Sequence, residues 1–515
     1  MAQIQVSDLT FCYEGSFDNI FEKVSFSIDT DWKLGFIGRN GKGKTTFFKL
    51  LLGELEYQGR IQSSACFDYF PYQIEVEKMD WNTIDVIEIL DPSYELWKIC
   101  RELDLLRADA ELLYRPYQTL SYGERTKVML SILFSRDHFF LLIDEPTNHL
   151  DQSTRVVVRD YLQRKKGFIL ISHDRWLLDE CVDHVLVLNR QSITVEQGNF
   201  SSWWENKQKK DAYELSENEK LKQEIRKMES AARQRGLWAD KAEGRKIGYD
   251  PIKEHDRLIG TRAYIGAKSK KMQQNRKNLE RRQQAAVEER KGLLKDIEAT
   301  SALKVMPLKH HREVYIRCKN MDIFYGTKEV VEQFQMELKR GERILLQGDN
   351  GCGKSSVLKT ILSSSRVTVL GGLPEGISCE QRSVQGELEL ANGLVISYIN
   401  QDTSHLQGKL DEYIQKLGLD ESIFKAILRQ LDFERIQFEK RMEQYSEGQK
   451  KKVLITGSLL ARAHLYIWDE PLNYIDVFSR MQIEKLIEMY QPTMLFVEHD
   501  KTFGDHIATQ IVKIP

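Results

Sequence analysis

A nine-residue stretch, GRNGKGKTT at 38–46, returns as GDNGCGKSS at 348–356, and three further landmarks follow each copy in the same order. LSYGERTKV (120–128) answers to YSEGQKKKV (445–453), LLIDEPTNHLD (141–151) to YIWDEPLNYID (466–476), and FILISHDRW (168–176) to MLFVEHDKT (494–502). The offset is 310 residues for Lys44/Lys354, 325 for Ser121/Ser446 and Asp144/Asp469, and 326 for His173/His499. An ordered repeat of this kind constrains the chain to two copies of one fold. The growth in offset locates an insertion in the second copy, residues 361–386, whose polar SSSRVTVLGGLPEGISCEQRS is expected to form a surface loop.

Each copy has the order that a phosphate cradle needs. Apolar WKLGFI precedes the first glycine-rich loop and TTFFKLLLGEL follows it, so strand, loop and helix succeed one another and predict an α/β fold. Gly38, Asn40, Gly41 and Gly43 let backbone amides turn toward phosphates at a helix N-terminus that begins at Thr45 and Thr46, while Lys44 reaches the outer phosphates. Gly348, Asn350, Gly351, Gly353, Lys354, Ser355 and Ser356 take those parts in the second copy. Thr45 and Ser355 are Mg²⁺ ligand candidates, as are Asp144 and Asp469 at the ends of apolar strands. Glu145 and Glu470, one residue on, are placed to act as general bases, and His173 and His499 to sense the γ-phosphate. ATP hydrolysis with Mg²⁺ is the expected chemistry.

Composition then narrows the compartment. There is no apolar run near 18 residues and no basic-then-hydrophobic N-terminus, so neither a membrane span nor a secretory leader is expected. Seven scattered cysteines with no CxxC pair argue for reduced thiols and a cytoplasmic location. The net charge of −2 hides an uneven distribution: residues 226–282 carry 17 Lys and Arg against 7 Asp and Glu. A basic arm between acidic bodies is a partner signal.

These motifs together resemble the ABC-type ATPases, over both halves. Ser121-Tyr-Gly123-Glu and Ser446-Glu-Gly448-Gln are similar to that family's signature. The resemblance implies two ATP molecules sandwiched between the copies, Lys44, Asp144 and Glu145 facing Ser446 and Gly448, and Lys354, Asp469 and Glu470 facing Ser121 and Gly123. Tyr13 and Tyr325 resemble the aromatic that stacks on adenine, and Gln401 the glutamine near Mg²⁺. In the first copy Tyr72 stands at that glutamine's place and Gln73 one position later, so Gln73 is the candidate there. Tyr122 and Glu447 depart from the family's small glycine.

The organisation expected is a first ATPase domain at 1–204, an interdomain linker at 205–303 and a second ATPase domain at 304–515. Leu221, Ile225, Met228 and Ala232 keep a helical spacing, and Leu279, Ala286, Leu293 and Ile297 a coarser one, which predicts a helical hairpin with its tip at about 244–262. Arg245, Lys246, Tyr249, Lys253, Arg257, Arg262, Tyr264 and Lys268 mix cations with aromatics near that tip, a combination suited to structured RNA. With DEPTNHLD, the charged linker makes the chain resemble the ABC-F proteins, and WKLGFIGRNGKGKTT, VSFSIDT, HLYIWDEPLNYID and RMEQYSEGQKKKV are similar to their antibiotic-resistance branch, the Lsa-like group. That resemblance implies a monomer whose halves pair in cis on the 70S ribosome at the tRNA exit site. Its linker would touch rRNA and approach P-site tRNA, displacing lincosamides, pleuromutilins and streptogramin A compounds. The alternatives are a housekeeping translation factor of the same family and the ATPase subunit of a membrane transporter, against which the long charged linker counts.

Overall fold

KLGFI, FFLLID and FILI are too short and too uniformly apolar for amphipathic helices, and they form parallel strands buried on both faces. The computed structural model describes residues 3–14, 19–75, 78–189, 192–247, 307–370 and 382–514. In the first half a six-stranded sheet runs, in spatial order, Cys66–Phe70, Phe139–Asp144, Phe168–Ile171, Lys33–Ile37, His184–Leu188 and Ile193–Gln197, with the last strand antiparallel. The second half repeats the first five of these as Leu394–Ile399, Leu465–Asp469, Met494–Val497, Arg343–Gln347 and Gln510–Lys513, with Val367–Val369 outside Leu394–Ile399, all parallel. A three-stranded antiparallel sheet completes each half, with Gln3–Phe11 central in one and Val314–Tyr325 in the other. Two tandem P-loop ATPase domains of mixed α/β architecture are therefore present.

The register positions the chemistry. Asp144 lies opposite Ile171 and Asp469 opposite Val497, so the strand ending in Asp-Glu sits beside the strand leading to His173 or His499. Phe36 and Phe48 pack with Phe47 under the first phosphate-loop helix. In the second half Trp468 is fully buried, its indole N–H donating to Ser458 Oγ at 2.9 Å, which gives the one polar atom of that ring a partner.

Part of the second-copy insertion is not a loop. Val367–Val369 adds an edge strand to the parallel sheet, pairing with Leu394–Ile396, as its β-branched residues favour. Residues 371–381 lie outside the described residues.

Met1–Trp203 with Ala302–Pro515 make one compact unit, and Trp204–Ser301 make another. The described part of the latter belongs to one helix, Phe200–Ile247, 48 residues long and so about 72 Å at the usual rise. It continues through Gly244, Arg245 and Lys246, past the expected start of the turn; one glycine in a long helix costs only about 1 kcal/mol. Tyr249, Lys253, Arg257, Arg262, Tyr264 and Lys268, and the expected returning helix, lie outside the described residues.

Candidate active sites between the two halves

Each phosphate loop leaves the central strand of its sheet and enters a helix, Lys44–Leu51 or Lys354–Leu362. The glycines at the N-caps, Gly43 and Gly353, have φ of 105° and 95°. A Cβ would stand 2.5 Å from Ile20 Cγ2 in the first and 2.4 Å from Val331 Cγ2 in the second, so torsion and space both demand glycine. Lys44 Nζ donates to the carbonyls of Gly38 (2.6 Å) and Arg39 (3.2 Å), and Lys354 Nζ to those of Gly348 (2.8 Å) and Asp349 (2.7 Å). These bonds curl each loop around its own ammonium group, the conformation in which amides face an anion.

Thr45 Oγ1 donates to Asp144 Oδ2 at 3.0 Å and Ser355 Oγ to Asp469 Oδ1 at 3.3 Å. A hydroxyl and a carboxylate converging beside a phosphate loop are hard oxygen donors of the kind Mg²⁺ takes. Burial pushes Asp144 above the usual carboxylate range, and burial with the neighbouring Glu470 pushes Asp469 up to about 6. Both groups would gain from a cation. The hydroxyl of Tyr13 meets Thr46 Oγ1 at 2.9 Å and that of Tyr325 meets Ser356 Oγ at 3.3 Å, which fixes both rings beside the loops.

Glu145 and Glu470 adopt φ of 51° and 47°, the left-handed region that non-glycine residues enter at a cost. The bend turns each carboxylate back toward its histidine. His173 Nε2 lies 3.3 Å from Glu145 Oε1 and His499 Nε2 3.4 Å from Glu470 Oε1, electrostatic contacts outside hydrogen-bond geometry, leaving buried Glu145 Oε1 and His499 Nε2 without a hydrogen-bond partner among the described residues. Burial and the adjacent Asp144 raise Glu145 to about 8, whereas burial and the charges of Lys44 and Arg480 hold His173 well below its ordinary value. Glu470 differs. Burial acts to raise it, but His499 and Asn473 outweigh that and hold it below the usual range. Gln401 Nε2 donates to Glu470 Oε2 at 2.9 Å and Asn473 Nδ2 at 3.0 Å.

Among the described residues the first site has no such glutamine contact. Tyr72, at the glutamine's position, donates its hydroxyl to Asp68 Oδ2 at 2.7 Å, with the Arg136 guanidinium 5.5 Å from its ring centre. Gln73 is exposed, and among the described residues makes no hydrogen bond to Asp144, which receives the Tyr69 hydroxyl instead, at 3.3 Å.

The signature segments cap helices. Ser121 and Ser446 each accept from the amide three residues on, at 3.3 Å, while Glu124 and Gln449 return the bond, so S-x-x-E/Q is at once a capping box and an anion-facing helix N-terminus. Tyr122 turns its ring to His149, 5.1 Å between centres, and Glu447 accepts from Thr403 Oγ1 at 2.6 Å.

The halves bring these pieces together crosswise. Asn40 Nδ2 donates to the Tyr474 carbonyl at 2.9 Å, and Asn350 Nδ2 to the His149 carbonyl at 3.1 Å. A cavity of about 440 Å³ lies between the first phosphate loop and the second signature, lined by Asn40, Gly41, Glu145, His173, Ser446 and Gly448 among others. Gly448 is pressed to the Tyr474 carbonyl, and Gly123 packs on Thr154. Arg39 pairs with Asp432 (2.8 Å) and Lys42 with Glu434 (2.7 Å), tying the first loop to the opposite half. His149 Nε2 and the Tyr474 hydroxyl, at equivalent positions of the repeat, meet at 2.5 Å. Arg175 forms a buried two-pronged ion pair with Glu484. These inter-half partners stand hundreds of positions apart and carry no local signal in the sequence.

The ABC transporter family matches residues 21–148 and 331–473, each stretch taking in a phosphate loop with the strand that leads into it and running past the Asp-Glu strand. The ribosome protection protein VmlR of Bacillus subtilis is 26% identical over 499 residues, spanning 95% of this chain and 83% of that protein. The energy-dependent translational throttle protein EttA of Haemophilus influenzae is 22% identical, spanning 96% and 89%. Among solved structures the RNase-L Inhibitor superposes with a TM-score of 0.62 at 18% identity over 98% of this chain and 87% of that one, a likeness of fold. Among the described residues no helix is long and apolar enough to cross a membrane. The chain belongs to the ABC transporter family, as an ATP-binding tandem ATPase of its F type.

Proposed function

We propose that this ATPase binds the 70S ribosome in the cytoplasm when ATP draws its halves together, and that it protects the peptidyl transferase centre from antibiotics. The observation that carries the reading is the crosswise pairing of each asparagine of a phosphate loop with the opposite half, which makes closure depend on both sites at once. In each site Lys44 or Lys354 holds the outer phosphates, Glu145 or Glu470 orients and deprotonates the attacking water, and His173 or His499 senses the γ-phosphate. Thr45 with Asp144, and Ser355 with Asp469 and Gln401, would hold Mg²⁺, which when bound offsets phosphate charge. Ser446 and Gly448, and Ser121 and Gly123, offer helix N-termini to the same phosphates. Tyr13 and Tyr325 stack on adenine.

The basic segment from residue 226 onward supplies the RNA-binding surface, with Arg245, Lys246, Tyr249, Lys253, Arg257, Arg262, Tyr264 and Lys268 reaching rRNA near the exit site and P-site tRNA. The likeness to a ribosome protection protein over almost the whole chain supports resistance of the Lsa-like kind, to lincosamides, pleuromutilins and streptogramin A compounds. The similarity to a translational throttle protein favours a second reading, a housekeeping translation factor.

Two measurements separate these. Glu145→Gln with Glu470→Gln should trap ATP and make the chain co-sediment with 70S ribosomes; no co-sedimentation with ATP ends both ribosomal readings. Expression should raise the inhibitory concentration of lincomycin or tiamulin severalfold, and replacing residues 249–259 with Gly-Ser should abolish this while ATP turnover persists. Unchanged susceptibility leaves the translation-factor reading.

A further inference from the structure

Lys451 is 3% exposed and has no counterpart in the first half, where the repeat offset of 325 places Thr126. Its Nζ donates to three carbonyls: Gln401 at 2.9 Å, Asn400 at 3.1 Å and Glu470 at 3.3 Å. Those oxygens belong to the glutamine-bearing loop and to the residue that directs water, so one ammonium group staples the two backbone segments whose side chains meet in the Gln401–Glu470 bond. Thr126 Oγ1 instead donates to the Tyr122 carbonyl of its own helix, 3.0 Å away, and is too short to reach further. In the first site the corresponding carboxylate, Glu145, has an oxygen with no hydrogen-bond partner among the described residues, and Tyr72 points to Asp68.

We propose that Lys451 is a positioning residue for ATP hydrolysis in the Glu470 site, and that this staple makes that site the faster of the two. The inference rests on Glu470 as the water-directing carboxylate. Orientation supplies the rate: a carboxylate already aimed pays no reorganisation as water adds to the γ-phosphorus, the bond to ADP breaks and the water's proton passes to Glu470. Lys451 also lies five residues from Ser446, in the helix Glu447–Leu460 whose N-terminus faces the other ATP site. A single rigid helix thus touches the phosphate side of one site and the back of the other.

The test counts ADP per chain after the full-length protein, loaded with two equivalents of ATP, is quenched from milliseconds to minutes in Mg²⁺. Two phases are expected, one ADP per chain forming at least tenfold faster than the second. Lys451→Met should slow the fast phase tenfold or more while the KM for ATP stays within twofold, and Lys451→Gln, which keeps a donor, should recover part of the rate. Glu470→Gln should remove the fast phase and Glu145→Gln the slow one. If Glu470→Gln removes the fast phase but Lys451→Met leaves it intact, the staple is wrong; if Glu470→Gln keeps it, the reading of Glu470 fails first. A single phase yielding two ADP, or a KM that rises with the loss of rate, also overturns the proposal. Should Lys451→Met not fold, as judged by circular dichroism, Lys451→Gln carries the test, with a threefold slowing expected.

Discussion

At the scale of single residues, the sites are held by a few close approaches that tolerate no added atom. A Cβ on Gly448 would stand 2.5 Å from the Tyr474 carbonyl, whereas on Gly123 it would meet Thr154 Oγ1 at 3.3 Å. Backbone cannot yield as a side-chain hydroxyl can. Gly448→Ala should therefore slow hydrolysis in the Glu145 site at least tenfold and Gly123→Ala slow that in the Glu470 site markedly less, each read as its own phase of ADP formation, with both proteins melting within a few degrees of the parent by circular dichroism. Equal losses would show that the two interfaces close alike. The same scale marks where sequence was informative. Lys44, Asp144 and Ser121 lie in local patterns whose chemistry dictates their spacing, and they stand where those patterns place them. Lys451, Asn473 and Arg39 lie inside the same landmarks, but nothing in the pattern's chemistry dictates them: each looks like an ordinary solvated polar residue until the fold supplies its partner.

At the scale of elements, periodicity and capping explain most of what forms. Buried parallel strands read as unbroken apolar runs, and a capping box, S-x-x-E/Q, opens both signature helices. The edge strand Val367–Val369 was not legible, because three residues give no periodicity and the surrounding serines and glycines read as a turn. The helix Phe200–Ile247 likewise runs through a glycine that marks a turn in isolation. Burial within these elements has a chemical consequence for thiols. It pushes Cys181, in a helix, and Cys318, in a strand, up to about 12, so neither supplies thiolate at pH 8. Cys12 and Cys66 are exposed. Reaction with an aromatic disulfide reagent at pH 8, followed by peptide mapping, should label Cys12 and Cys66 within minutes and Cys181 and Cys318 only after denaturation; early labelling of Cys181 would mean that its helix opens readily.

At the scale of the whole molecule, the ATPase halves are joined by unequal fastenings. Arg175 and Glu484 are 5% exposed each and bonded through both prongs. At the equivalent positions stand Lys501 and Arg159, two cations, each set against the Trp176 ring, at 4.9 and 4.4 Å from its centre. Removing one member of a buried pair strands the other charge, at a cost of about 3–5 kcal/mol. Arg175→Met should lower stability toward urea by that order, and the swap Arg175→Glu with Glu484→Arg should recover part of it. A loss under 1 kcal/mol would mean that water reaches Glu484 in the mutant.

The hydrogen bond between His149 and Tyr474 makes a point about duplication itself. A dimer of identical chains must set like against like wherever its axis passes, imidazole on imidazole or phenol on phenol. Fusing both copies into one polypeptide lifts that restriction, and here the centre of the interface seats two different rings, each free to specialise as its neighbour's complement.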